Sequence, residues 1–188
     1  MKYLIIHGIQ GQAGIHWQGW LSDNLSKNGH EVIMKSYPDA DCPVREKWLE
    51  TTKNFLSNIL LQNLIIVTHS LGAVTAMDFI EGLNGPIRGL VTIAGFYRDY
   101  GAELNSYFLR SKDIDINRVR GNIKKSVVIF GDDDPYVPQE ELKALAEGLQ
   151  TESVIIHKGG HLNTDSGYKE FPLVLQKCLE LAQEPNFP

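Results

Sequence analysis

A chain of 188 residues with 43% hydrophobic and 22% charged side chains can fill one core, so a single domain spanning residues 1–188 is predicted. The 18 basic and 23 acidic residues leave a formal charge of −5 with no lysine- or arginine-rich run, which argues against nucleic acid or an anionic membrane as partner. A neutral or weakly charged small-molecule substrate fits this balance better. Nothing in the composition sets the oligomeric state.

The two cysteines, Cys42 and Cys178, lie far apart in the sequence, which indicates neither a disulfide framework nor a thiolate zinc site. Reduced cysteines are typical of the cytosol, and a cytoplasmic location is predicted. The apolar run at residues 3–6 is too short for an export signal, and no stretch reaches the length needed to span a membrane.

Six short runs rich in Val and Ile lack polar alternation and therefore predict strands that are covered on both faces. They are residues 3–6, 32–34, 64–67, 90–93, 127–130 and 154–156. Apolar residues recur at helical spacing in residues 17–25, 44–59, 74–80, 142–149 and 175–182. This alternation predicts an α/β fold, with a mostly parallel sheet between helices and right-handed crossovers. The ligand site of such a fold lies at the carboxyl ends of the strands.

Residues 95–121 form a long connection that interrupts the alternation of strand and helix. Its aromatic side chains are Phe96, Tyr97, Tyr100, Tyr107 and Phe108. Two interpretations fit them: a small flap over the ligand site, or a loop that its rings anchor to the core. We expect this segment to set substrate specificity together with three predicted substrate-binding residues, His16, Trp17 and Tyr136.

The apolar strand at residues 64–67 runs directly into the turn at residues 68–72, and a helical pattern follows. This is the setting of a nucleophile elbow, in which a serine, here Ser70, stands on a tight turn and projects its hydroxyl from the sheet. Gly72 allows strand and helix to pack closely behind it, whereas Thr68 departs from the usual glycine. The alternative is that Ser70 only caps the following helix, since serine is favoured there.

The strand at residues 127–130 leads into three consecutive carboxylates, Asp132, Asp133 and Asp134. An acid at the carboxyl end of a strand can accept a proton from an imidazole and fix its tautomer, as in a serine triad. Aspartates after a strand also form turns and cap helices, so at least one of the three has that role. The pattern alone does not separate the three candidates.

His161 follows the last predicted strand on a flexible loop containing Gly159 and Gly160. From there it can reach across the strand ends and act as general base, then as general acid. A loop histidine is often only a solvated surface residue, and His157, at the edge of the strand, is a weaker candidate. The chain order of Ser70, an aspartate and His161, each after a predicted strand, favours the catalytic interpretation.

The glycine-rich loop after the first strand, residues 7–14, allows close backbone approach to a ligand. The amide of Ile9 or of Gln10, paired with that of Leu71, would form an oxyanion hole. A dinucleotide site is a weaker interpretation, because the glycine spacing is G-x-x-G-x-x-G and no acidic residue ends the second strand.

The histidines of the sequence form neither an H-x-H nor an H-E-x-x-H pairing. These are spacings that place two imidazoles on one metal ion. Chemistry without a metal or another cofactor is therefore predicted.

Together these motifs resemble the α/β-hydrolase superfamily over nearly the whole chain, from the loop at residues 7–8 to the histidine loop at residues 160–161. The short length and the pair at residues 16–17 with Trp20 are similar to the small serine hydrolases grouped with retinoblastoma-binding protein nine. That resemblance implies a compact three-layer α/β/α sandwich with five or six parallel strands, no large cap and a shallow, open pocket.

The resemblance also implies a catalytic triad of Ser70, Asp134 and His161, because the acid in this family is the aspartate immediately before a P-x-V-P-like stretch. The predicted function is hydrolysis of a small ester, thioester or amide through an acyl-serine intermediate. Two alternatives remain: a protein-interaction module that keeps the fold with little turnover and binds a protein partner, and an acyltransferase that uses the same triad.

Overall fold

The computed structural model describes residues 1–183; residues 184–188, the end of the predicted domain, lie outside the described part. A six-stranded sheet forms its centre, in the order β2-β1-β3-β4-β5-β6, and every neighbouring pair is parallel. The strands are β1 Lys2–Ile6, β2 Glu31–Met34, β3 Leu64–His69, β4 Ile87–Ile93, β5 Ile123–Gly131 and β6 Ser153–Ile156. Each of the six predicted strands is confirmed, and the larger of the two predicted strand numbers is correct.

Helices cover both faces of the sheet. They are α1 Gln18–Lys27, α2 Arg45–Phe55, α3 Gly72–Glu81, α4 Ser106–Arg110, α5 Ile116–Gly121, α6 Gln139–Leu149 and α7 Pro172–Ala182, with short 3₁₀ turns at Leu61–Asn63 and Thr164–Ser166. Helices α1 and α7 contribute to one core, and α2 to α6 contribute to the other. The predicted three-layer sandwich is therefore confirmed.

Strand β3 shows why the buried strands lack polar alternation. Leu64 and Ile66 enter the core beside α3, whereas Ile65 and Val67 enter the core beside α1 and α7. All four side chains are fully buried, and burial of such a side chain stabilises the fold by about 1.5–3 kcal/mol. An apolar residue is thus favoured at every position of a central strand.

The long connection at residues 95–121 contains two short helices, α4 and α5, that the sequence pattern did not predict. Phe96, Phe108 and Val119 are buried in the core, so the anchoring interpretation is correct for most of this segment. Only residues 100 and 102–105 line the cavity at the strand ends. The segment is therefore a packed part of the fold that contributes one stretch to the cavity wall.

The side chain of Arg45 links the end of α4, in the segment of residues 95–121, to α3. Its Nε and Nη2 donate to the carboxylate of Asp78 on α3 at 2.6 and 2.9 Å, and both residues are about 5% exposed or less. Its Nη1 donates to the backbone carbonyls of Phe108, Leu109 and Lys112, at 3.1, 3.0 and 2.6 Å. The guanidinium therefore satisfies carbonyls at the end of α4 that have no partner within the helix.

The substitution Arg45→Ala is expected to lower the free energy of unfolding by about 3 kcal/mol, the lower end for breaking a buried ion pair. It leaves the Asp78 carboxylate in the core, although Lys112 Nζ, 3.2 Å away, still compensates part of its charge. Urea denaturation measures the change. The matched control, Arg110→Ala, removes an exposed partner of Asp99 and should change the midpoint little. Equal losses in the two variants would contradict the anchoring role of Arg45.

Candidate active site

Ser70 occupies the single turn between β3, which ends at His69, and α3, which begins at Gly72. Its φ is +53°, a left-handed conformation that is strained for a residue with a side chain. The Ser70 amide donates to the carbonyl of Ile93 at the end of β4, 2.9 Å away, which ties the turn to the sheet. Leu71 holds the cap position of α3 without a side-chain cap bond, so the interpretation of Ser70 as a helix cap is wrong.

Glycines allow the chain to pack closely around this turn. A Cβ atom added to Gly72 would lie 2.7 Å from the carbonyl oxygen of His7 and 2.8 Å from that of Ile6. A Cβ atom on Gly8 would lie 3.0 Å from the Cβ of Ser70. The loop after β1 therefore touches the serine turn directly, as the predicted elbow requires.

Thr68 is accommodated in the interior of β3 at the position where glycine is usual. It is fully buried between Ile6 of β1 and Thr92 of β4 in the strand register. Within residues 1–183 its hydroxyl has no hydrogen-bond partner, and neither has that of Thr92. The unusual threonine thus leaves the elbow geometry intact.

His161 and Asp134 meet at the carboxyl end of the sheet. The Nδ1 atom of His161 lies 2.7 Å from Oδ2 of Asp134, and the two side chains are 9% and 0% exposed. The other carboxylate oxygen, Oδ1, accepts from the amides of Tyr136 and Val137 at 2.9 and 3.1 Å. Both oxygens of Asp134 are therefore engaged, which fixes the carboxylate against the imidazole.

The two neighbouring aspartates have different partners in the histidine loop. Asp132 lies 2.9 Å from Nδ1 of His157, and this contact raises the pKa of His157. Asp132 also accepts from the amide of Lys158 at 2.8 Å. Asp133 accepts from the amide of Gly160 at 2.7 Å. Neither of these carboxylates contacts the His161 ring, so of the three sequence candidates only Asp134 bonds to it.

His69, the residue before Ser70, also holds the histidine loop. Its Nε2 lies 2.9 Å from the backbone carbonyl oxygen of His161, and the two rings pack edge to face with centroids 4.9 Å apart. A carbonyl only accepts, so Nε2 carries the proton and donates. Burial holds the pKa of His69 well below its usual range, which keeps the ring neutral. The sequence motif contained this residue but gave no signal of its role.

The backbone amides of Ile9 and Leu71 have no hydrogen-bond acceptor within residues 1–183. Ile9 lines the cavity beside Ser70, whereas Leu71 is a fully buried residue. The amide of Gln10, the alternative that the sequence left open, donates to the carbonyl of Ala40 at 2.7 Å. This bond removes Gln10 as an amide donor to the site.

His7 controls the direction of the Ile9 amide. Its Nδ1 lies 2.8 Å from the carbonyl oxygen of Gly8, and its Nε2 accepts from the amide of Tyr37 at 2.9 Å. Burial lowers the pKa of His7, which favours the neutral ring that these two bonds require. The Gly8 carbonyl and the Ile9 N–H belong to one planar peptide unit, so His7 orients both.

Ser70 and His161 line one cavity of about 510 Å³ at the carboxyl ends of the strands. Among residues 1–183 the structure records no hydrogen bond between the Ser70 hydroxyl and the His161 ring. Other lining residues include Ile9, His16, Tyr100, Glu103, Leu104, Asn105, Tyr136, Asn163 and Asp165. Of these, only Ile9, His16, Tyr136 and, as an aromatic of the long connection, Tyr100 are among the residues predicted individually from the sequence.

Two of the three predicted substrate contacts, His16 and Tyr136, line the cavity, but Trp17 does not. Trp17 is fully buried beside α7, where its Nε1 donates to the carbonyl of Leu162 at 2.9 Å and its ring packs against Phe171. The prediction for Trp17 is corrected accordingly: it is a core residue. Its position at the start of α1 turns the ring inward, which the sequence pattern did not reveal.

In residues 1–183 no group of three or more His, Cys, Asp or Glu side chains is arranged to hold a metal ion. None of the helices in this part of the chain combines the length and apolar character needed to cross a bilayer. Cys42 is exposed and Cys178 is buried, and both are free.

Comparisons with known proteins agree with this architecture. A family model described as serine hydrolase matches residues 3–180. The chain is 27% identical over 172 residues to YdeN of Bacillus subtilis (strain 168), a protein named as a hydrolase, covering 90% of each. It is 26% identical over 171 residues to serine hydrolase RBBP9 of Rattus norvegicus, covering 87% of this chain and 89% of that protein.

A solved structure shows the same fold. The structure of the ydeN gene product of B. subtilis matches with a TM-score of 0.88 and 26% identity, covering 96% of this chain and 97% of that one. The predicted α/β-hydrolase architecture is therefore confirmed. Because the family model spans residues 3–180, the chain belongs to the serine hydrolase family, and it is an enzyme of the small type represented by RBBP9.

Proposed function

We propose that this hydrolase cleaves a small ester, thioester or amide through an acyl-enzyme formed on Ser70. His161 would act as general base and then as general acid, and Asp134 would orient its ring. The observation that carries the proposal is the 2.7 Å contact between His161 and Asp134 at the wall of the cavity that Ser70 lines. With Nδ1 held by Asp134, the proton sits on Nδ1 and Nε2 is left as the basic atom.

The reaction follows from these positions. The Ser70 oxygen attacks the carbonyl carbon and its proton passes to Nε2 of His161, while the carbonyl electrons move onto the oxygen. Collapse of this tetrahedral intermediate expels the leaving group, which takes the proton from His161. Water then attacks the acyl-serine by the same route and releases the acid. The contact between Ser70 and His161 forms when substrate is bound, as is common for catalytic hydrogen bonds that are long without it.

The amides of Ile9 and Leu71 would hold the oxyanion. Support comes from their lack of any other acceptor within residues 1–183, whereas Gln10 already donates to Ala40. One donor would come from the loop that His7 orients and the other from the start of α3. Donors that are fixed before the reaction need no rearrangement as charge develops, and removal of one typically costs about 10²–10³ in kcat.

His16 and Tyr136 are the proposed substrate contacts retained from the sequence. His16 has a φ of +58°, and its Nδ1 accepts from the amide of Thr164 at 3.2 Å, so the proton of the neutral ring is on Nε2. Tyr136 is 60% exposed, and its ring packs against His161 with centroids 5.1 Å apart. We also propose a cytosolic location, which the free Cys42 and Cys178 support.

A fluorophosphonate probe tests the proposed function. The purified protein is expected to form one covalent adduct, and mass spectrometry of its peptides should locate that adduct on Ser70. A phosphonate resembles the tetrahedral intermediate, so its capture requires the nucleophile, the base and the oxyanion donors together. Hydrolysis of short p-nitrophenyl esters near neutral pH is the companion assay. An adduct on another residue, or neither adduct nor hydrolysis, would overturn the proposal.

The contact from His69 to the His161 carbonyl gives a further expected result. The substitution His69→Leu removes the donor, and we expect kcat to fall about 10- to 100-fold with little change in KM, because the base is held less well. The substitution His69→Gln keeps an N–H and should recover part of the loss. Steady-state kinetics over a range of pH separate the two variants. If Leu and Gln have the same effect, the hydrogen bond has no part in positioning His161.

A further inference from the structure

The catalytic cavity carries unpaired negative charge at its mouth. Glu103 and Asp165 line it and are exposed, and within residues 1–183 no lysine or arginine lines it with them. Neither carboxylate forms a salt bridge or a side-chain hydrogen bond in the described chain. By contrast, nearby Asp99 is paired with Arg110. The potential at the mouth therefore favours a cation and disfavours an anion.

Two tyrosines line the same cavity. Tyr100 is held by an edge-to-face contact with Phe96, with ring centroids 5.2 Å apart. Tyr136 packs against the ring of His161. The faces of such rings attract ammonium groups, and aromatic side chains beside carboxylates are the usual means of binding quaternary ammonium ligands. The rings would thus add to the effect of the two carboxylates.

Asn105 supplies an independent observation. It lines the cavity and is 5% exposed, and its Nδ2 donates to the hydroxyl of Tyr100 at 3.0 Å. Its Oδ1 has no hydrogen-bond partner within residues 1–183 although it is buried. A buried acceptor without a donor is unfavourable, so this part of the cavity wall favours a ligand that brings an N–H or polarised C–H over one that brings an acceptor.

We propose that the preferred substrate carries an ammonium group, on either its acyl or its alcohol part, and that anionic acyl donors are selected against. The inference rests on the proposed function, because it assigns a charge class to the substrate of that cavity. Each exposed carboxylate contributes little alone, since water and salt screen it. Together with the two rings, we expect about a tenfold preference over an uncharged isostere.

The test compares an ammonium ester with its carbon isostere. Acetylcholine and 3,3-dimethylbutyl acetate differ only in the replacement of N⁺ by C, and a second pair carries the ammonium group on the acyl side. Binding is measured by calorimetry to Ser70→Ala protein, which does not require turnover. In at least one pair the ammonium ester should bind about tenfold more tightly, and 0.5 M salt should reduce the ratio.

Substitution identifies the groups responsible. The double variant Glu103→Gln, Asp165→Asn should reduce the affinity ratio to the part that the two rings supply, whereas Glu147→Gln, an exposed change on α6, should leave the ratio as it is. Equal affinities within both pairs, or a ratio that the double variant does not move, would overturn the inference. Hydrolysis of neutral esters by the unaltered protein reports on the proposed function separately, so the two failures can be told apart.

Discussion

Replacing Ser70 with Ala is expected to lower kcat for ester hydrolysis by about 10⁵- to 10⁶-fold, because the acyl-enzyme can no longer form. KM should change little, since the side chains lining the cavity remain. Alanine keeps the Cβ of serine, so the strain at φ +53° is the same in both proteins and the fold should be retained. Rates with a p-nitrophenyl ester measure the loss, and thermal unfolding verifies the fold.

The control for this change is Ser57→Ala. Ser57 is exposed after α2, and within residues 1–183 its hydroxyl bonds only to the carbonyl of Asn54. We expect full activity in this variant. Residual activity in Ser70→Ala above about one thousandth of the original rate would contradict the assignment of Ser70. Another nucleophile of the cavity, such as His16, would then attack the substrate.

The sheet could be predicted from the sequence because its strands are buried on both faces. Leu64 to Val67 are apolar without interruption, and the next residues turn directly into a helix, so both the strand and the elbow could be predicted. The strain at Ser70 follows from the same local pattern. Such features depend on neighbours in the sequence. The loops that follow parallel strands lie at one edge of the sheet, which is why the chain order of Ser70, an aspartate and His161 indicates a shared site.

Features that depend on distant contacts escaped prediction. The short helix α4 ends on the guanidinium of Arg45, which lies 63 to 67 positions earlier in the sequence. Trp17 lies next to His16, yet the start of α1 turns one ring into the core and leaves the other at the cavity. No local pattern encodes these directions, because tertiary packing selects them.

The run from Asp132 to Asp134 has one feature that depends on sequence neighbours and one that depends on distant contacts. Its location after β5 was predictable, but the three carboxylates point to different parts of the histidine loop. Which one meets His161 depends on how β6 and its following loop pass the end of β5. Gly131 allows this close passage, since a Cβ atom there would lie 2.4 Å from the carbonyl oxygen of Gly160.

Asparagine substitutions at these three positions should therefore give unequal results. Asp134→Asn is expected to lower kcat by about 10⁴-fold. Its amide oxygen can still accept from Tyr136 and Val137, which directs the NH₂ group at Nδ1 of His161. Nδ1 must then accept, so the imidazole proton moves to Nε2, and the ring can no longer take the proton of Ser70.

The same change at the other two positions is the matched control. In Asp133→Asn the amide oxygen still accepts from Gly160, and activity should remain close to that of the unaltered protein. In Asp132→Asn the pKa of His157, which Asp132 raises, should fall toward its ordinary value, and NMR titration of that ring would detect the change. Measurements of kcat for the three variants then show which aspartate orients His161. A loss at position 132 or 133 as large as that at 134 would mean that the loop, rather than the tautomer of His161, limits catalysis.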